Sequence, residues 1–176
     1  MQDTQTALKV VNEMQGAGVI AKYAIGGAVA ATFYIEPTAT YGIDIFISFE
    51  NVPGSSLASL EPIFKYLSDR QYKTSGAHCL IAGWQIQFLP ADEALNSEAL
   101  LQAVETRVGD VKTWIMTAEH LMAIALKTGR GKDLIRLEQF VRYNAFDPDK
   151  LNQILARHNL VEKWRRFDDK YIKGIT

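Results

Sequence analysis

Two short stretches hold residues that can do chemistry together. Ala24-Ile25-Gly26-Gly27-Ala28 reads as a strand that passes through a double glycine into a helix. Thr40-Tyr41-Gly42-Ile43-Asp44-Ile45-Phe46-Ile47 reads as a second apolar strand with an aspartate near its start. Glycine lets the backbone approach a phosphate closely, and a helix N-terminus offers unpaired N–H groups and the positive end of a dipole. An aspartate at the mouth of an apolar strand is costly to bury unless it is paired or binds a metal. Magnesium is held by one or two carboxylates together with substrate phosphates. Each stretch also has a plainer reading: Gly26-Gly27 as a tight strand-to-helix turn, and Asp44 as a cap on a loop. Side by side, with a helix between them, they point to polyphosphate handling more specifically than either does alone.

A third cluster lies further along, from Glu119 to Leu134. Lys127, Arg130 and Lys132 crowd a helix junction broken by Gly129 and Gly131. Cations so placed can clamp a triphosphate. The plainer reading is a solvated helix end, where the dipole favours cations anyway. The three histidines, His78, His120 and His158, show no metal-ligand spacing and read as surface or partly buried groups. Cys79 sits in the apolar run Cys79-Leu80-Ile81 and reads as a buried structural thiol. Glu36 and Glu50 are near the two stretches in sequence, but nothing in the sequence brings them to a site. Trp164-Arg165-Arg166 can touch RNA by stacking and charge. A packed tryptophan beside two solvated arginines is the plainer account.

The elements that must position these residues follow from periodicity. Asp3 or Thr4 caps a first helix with an apolar face of Ala7, Val10, Val11 and Met14, ended by Gly16 and Gly18. Val19 to Ile25 is a strand, and a helix from the double glycine runs through Ile35 to a stop at Pro37. Ile43 to Phe49 alternates, with Ile43, Ile45, Ile47 and Phe49 on one face and Asp44 on the other. Pro53-Gly54-Ser55-Ser56 is a turn that starts a helix through Leu57, Leu60, Ile63 and Leu67. Tyr72 to Leu89 reads as strand, tight turn and strand, broken by Gly76 and by Ala82-Gly83. Asp92 to Ala103 is helical, and Thr106 to Met116 is a strand with a turn at Gly109-Asp110. From Thr117 the pattern is helical throughout, with Asp147-Pro148 as an N-cap and first-turn proline. The period-two pattern sends Asp44 and Gln87 to one sheet face on neighbouring strands, near Gly26-Gly27.

The chain has 176 residues, 48% hydrophobic and 22% charged, with a net charge of -1. It can bury a substantial core, and it carries no global field to draw in nucleic acid or an anionic membrane. A single cysteine excludes an internal disulfide framework and fits a reducing cytosol, so a cytoplasmic location is expected. No apolar run reaches the roughly 20 residues that span a bilayer, and the N-terminal residues lack the pattern of a signal peptide.

Gly26-Gly27 with the Thr40-to-Ile47 strand resembles the minimal nucleotidyltransferase domain. Glu119, Leu121, Ala123, Lys127, Arg130 and Lys132-Asp133-Leu134 resemble the helical motifs of the AbiEii and MenT type nucleotidyltransferases, toxins of toxin–antitoxin pairs. The resemblance runs from about residue 20 to about residue 140. It implies an α+β fold, a nucleotidyltransferase-like mixed sheet flanked by helices with a C-terminal helical region. The lobes would be 1–116 and 117–176, the second packed on the first. It also implies transfer of a nucleoside monophosphate from an NTP to a hydroxyl acceptor, with Mg2+. A tRNA acceptor and an antitoxin protein are the partners implied. Carried over by motif, Asp44, Lys127 and Asp133 form the catalytic set, and Asp44 is the metal ligand. Gly26, Gly27, Thr40, Arg130 and Lys132 are the nucleotide-binding set.

The departures are specific. Gly42 stands where the first metal-binding aspartate belongs, Gln87 where a third carboxylate is common, Thr38 where an arginine is frequent, and Arg136 where a second tail aspartate is frequent. Two-metal transfer relies on carboxylates that clamp both ions. A catalytically degenerate relative, binding a nucleotide or a partner without chemistry, is therefore the second reading. A pure interaction module with structural glycines is the third.

Overall fold

The computed structural model describes residues 2–49 and 59–173. The expected turn at Pro53-Gly54-Ser55-Ser56 and the helix start at Leu57 lie outside the described residues. The elements in chain order are α1 (Thr4–Gly16), β1 (Lys22–Ile25), α2 (Gly27–Ala31), β2 (Gly42–Ser48), α3 (Glu61–Asp69), β3 (Lys73–Ser75), β4 (His78–Ile81), β5 (Trp84–Pro90), α4 (Ala94–Leu101), β6 (Val104–Val108), β7 (Val111–Ile115), α5 (Ala118–Thr128), α6 (Gly131–Arg142), α7 (Pro148–Arg157) and α8 (Val161–Phe167). A π-helical turn over Asp168–Ile172 follows.

The strands form one seven-stranded mixed sheet in the order β3-β4-β5-β2-β1-β7-β6. At its centre β2 pairs parallel with β5 and antiparallel with β1. Ile43, Ile45 and Ile47 of β2 are sealed from solvent, as alternation requires of one covered face. Phe46 on the opposite face is also buried. Helices therefore cover both faces, and sheet and helical tail share one hydrophobic core that includes Leu121, Met122 and Phe140. Among the described residues no helix is long and apolar enough to cross a membrane.

Two expected elements and the burial of one residue differ. The helix after the double glycine ends at Ala31 instead of Ile35. Beyond it Phe33 and Tyr34 donate backbone bonds three residues back, to Ala30 and Ala31, so the chain tightens out of α-helix. Tyr72 to Leu89 makes three strands. Gly76 turns the chain once, and Ala82 and Gly83, at φ 48° and 82°, turn it again as a two-residue hairpin with both positions left-handed. His120 is fully buried, not partly exposed.

The partner that buries His120 is far away in sequence. Thr117 caps α5 by accepting the His120 backbone N–H, and its hydroxyl lies 2.8 Å from His120 Nδ1. Nε2 of His120 faces Glu98 of α4 at 3.3 Å. Glu98 also accepts from Arg157 at 2.5 Å and meets His158 Nε2 at 2.7 Å, so one carboxylate ties α4, α5 and α7 together. Hydrogen bonding from Arg157 above all holds the Glu98 carboxyl at about 2, against an ordinary 4.5. Burial lowers the His120 imidazole from 6.5. Both groups bind a proton more readily in the unfolded chain. Glu98 stabilises the fold fully above pH 4.5 and loses that contribution as pH falls toward 2. His120 adds a loss that begins below 6.5. Glu98→Gln is expected to cost on the order of 2 kcal/mol near neutral pH, allowing for the exposed Arg157, and much less near about pH 3. Urea unfolding at the two pH values checks this, and a cost independent of pH would mean that Glu98 acts by packing and not by charge.

Candidate functional site

Strand register sets the centre of the site. Asp44 on β2 is the direct partner of Gln87 on β5, on the sheet face opposite Ile43 and Ile45. The backbone N–H of Gly26 donates to the Asp44 carbonyl at 2.9 Å, which brings the double glycine alongside. The two glycines then do different work. Gly27 has φ +58°, and a Cβ there would lie 2.2 Å from Asp44 Oδ2. A Cβ on Gly26 would lie 2.5 Å from the Phe46 ring. Gly27 thus makes room for the carboxylate, while Gly26 makes room for core packing. Gly26, expected to hold nucleotide, lines neither arm of the cleft described next.

From the helical tail, α6 delivers a buried ion cluster. Asp133 is 2% exposed and accepts from Arg130 Nε at 2.7 Å and from Arg136 Nη1 at 3.4 Å. Arg136 itself is 13% exposed and Arg130 60%. The spacing that makes this cluster is i, i+3 on both sides of Asp133. Asp133 points at these two guanidiniums, so at the edge of the cleft it positions cations. The Arg130 guanidinium is favoured in its charged form by Asp133 first, and also by Asp44. Burial pushes the Arg136 guanidinium down, opposed by Asp133 and then by Asp44. An arginine stays protonated in proteins, so both remain cations.

Two arms of a cleft open from this centre, each about 470 Å³. Both arms are lined by Asp44, Gln87, Arg130 and Arg136. The first also has an apolar wall that includes Phe46, Leu89, Leu121 and Ile124. The second runs past Thr40, Tyr41, His78 and Lys132. Lys127 lines the first arm as expected, but its ammonium is paired with Glu93. The Thr40 hydroxyl is turned on its own backbone, donating to the Gly42 carbonyl at 3.1 Å. Cys79 is buried, and burial pushes its thiol up to about 12, so it is no nucleophile. Trp164 packs on Phe167, with Arg165 and Arg166 paired to Glu162.

Arg136 is the residue that motif reading passed over, registered only as a missing aspartate. Its i+3 relation to Asp133 is the signal that could have found it. Among the described residues lining the two arms, four cations (Lys127, Arg130, Lys132, Arg136) face three carboxylates, and two of these, Glu93 and Asp133, are already paired. Among the described residues no group of three His, Cys, Asp or Glu side chains is arranged to hold a metal ion. The groups at the centre are one carboxylate, one neutral amide and two guanidiniums. A clamp for two magnesium ions does not fit it, since such a clamp needs several oxygen ligands around each ion.

No protein-family model matches the chain, and no curated protein matches it. Among solved structures it is similar to an antigenic nucleotidyltransferase-like protein from Paracoccidioides brasiliensis, with a TM-score of 0.56 at 14% identity over 94% of this chain and 90% of that one. A second similarity, to E. coli MS115-1 CdnC with ATP, has a TM-score of 0.36 at 12% identity over 79% of this chain and 47% of that one, too slight to argue from. The first shows the fold to be nucleotidyltransferase-like, a mixed sheet flanked by helices.

Proposed function

We propose that this protein binds a nucleoside triphosphate in the two-armed cleft and does not transfer its nucleoside monophosphate. The convergence of both arms on Asp44, Gln87, Arg130 and Arg136 carries this reading. Guanidiniums match phosphate oxygens in a fork, and these two are held in place by a buried carboxylate. The apolar wall of the first arm suits a base. Transfer needs a carboxylate clamp, and Gly42 and Gln87 leave Asp44 alone beside the arginines. The nucleotidyltransferase-like fold supports the nucleotide. Transfer to a tRNA end, a toxin role and an antitoxin partner rest on the resemblance of motifs alone.

Equilibrium binding of each NTP, combined with incubation of labelled NTP, magnesium and total tRNA, tests both halves. Binding without labelled RNA or protein is expected. Arg136→Ala is expected to weaken binding tenfold to a hundredfold, roughly the 1.5–3 kcal/mol of a charge-assisted contact. Labelled tRNA would overturn the claim that the site is inactive. Absence of any NTP binding would overturn the claim that it takes nucleotide.

A further inference from the structure

We infer that the cleft takes its polyphosphate without a divalent cation, Arg136 with Arg130 beside it holding the electrostatic place of a metal next to Asp44. The inference rests on the nucleotide-binding reading above. Three observations lead to it. First, the two positions from which a second carboxylate could join Asp44 are both uncharged. Gly42 lies two residues away on the same strand face, and Gln87 is the register partner. Second, the positive charge is already built in. Arg136 is nearly buried and tied to Asp133, which is itself sealed from solvent. Arg130 and Arg136 line both arms together with Asp44, so its single negative charge faces two guanidiniums before any ion arrives. Third, among the described residues that line the cleft, cations outnumber carboxylates four to three, so ion pairing within it leaves a net positive charge.

A magnesium ion at Asp44 would find one carboxylate, with only the neutral amide oxygen of Gln87 beside it, and meet two guanidiniums. Magnesium sheds its waters reluctantly and demands a near-octahedral oxygen shell. A guanidinium is more weakly hydrated and can meet two phosphate oxygens at once. The ligand favoured by such a site is the uncomplexed triphosphate, which carries more negative charge than its magnesium complex.

Calorimetric titration of ATP into the full chain, in EDTA and in excess magnesium, separates the outcomes. The expected result is affinity in EDTA equal to or tighter than in magnesium. Arg136→Ala is expected to lose about tenfold or more in EDTA. If that variant melts early, Arg136→Lys keeps a cation facing Asp133 and loses the fork, and the same direction of change is expected. Gly42→Asp supplies the absent carboxylate. Its Cβ would sit 3.1 Å from the backbone carbonyl of Gln85 on the paired strand, so that backbone must give by a few tenths of an ångström, and the variant's melting is measured alongside its binding. This variant is expected to bind ATP more weakly in EDTA and to recover affinity when magnesium is added. Wild-type binding seen only with magnesium would overturn the inference and leave the nucleotide-binding reading standing. No ATP binding in either condition would overturn both.

Discussion

Asp133→Ala is expected to lower stability by about 3 kcal/mol and to lower triphosphate affinity with it. The carboxylate is 2% exposed and holds two guanidiniums of unequal burial. Arg130, 60% exposed, returns to water at little cost. Arg136, 13% exposed, does not. Removing one partner of a buried pair strands the other, and that loss typically reaches about 3–5 kcal/mol. The exposure of Arg130 puts this case at the lower end. Affinity falls because the fork of Arg136 is no longer held at the meeting point of the two arms. Urea unfolding and ATP titration of the same preparation measure both. A stability loss under about 1 kcal/mol would mean that Arg136 finds another carboxylate, and Asp44 is the one whose field already reaches it.

The centre of the site was legible because strands have a period of two. Asp44 and Gln87 follow from alternation in two apolar segments, and their register puts them opposite each other. The hairpins were marked by Gly76 and Gly83. What escaped was what depends on partners distant in sequence. Lys127 reads as a clamp for phosphate until Glu93, on the approach to α4, is seen to pair with it. His120 reads as a surface or partly buried residue until Glu98 and Thr117 satisfy both of its nitrogens. Gly26 and Gly27 look equivalent in a motif. They separate only once the pairing of β1 with β2 sets Phe46 behind one and the Asp44 carboxylate behind the other. Arg136 was hidden for a different reason. The motif expects acid there, so a base registers as a defect when it is in fact the cation nearest to burial in the cleft.

Gly27→Ala is expected to cost about 3 kcal/mol, from two separable sources. Alanine at φ +58° is left-handed, which costs roughly 1–2 kcal/mol. The remainder is steric. The new Cβ would stand 2.2 Å from Asp44 Oδ2, 3.1 Å from its Cγ and 3.4 Å from its Cβ, so turning the carboxylate alone does not relieve the contact. The carboxyl group, Cγ included, must swing away from position 27, and with it the charge beside Arg130 and Arg136. A double-mutant cycle isolates this term, because the two residues touch. In an Asp44→Ala background, Gly27→Ala should cost only the backbone part, giving a coupling of about 1–2 kcal/mol between the two positions. Thermal or urea unfolding of the four proteins supplies the numbers. Additive costs would show that Asp44 swings aside freely and that position 27 is glycine for its backbone angle alone. A clear coupling would establish that the glycine of this motif serves to seat a carboxylate, which is a different task from approaching a phosphate.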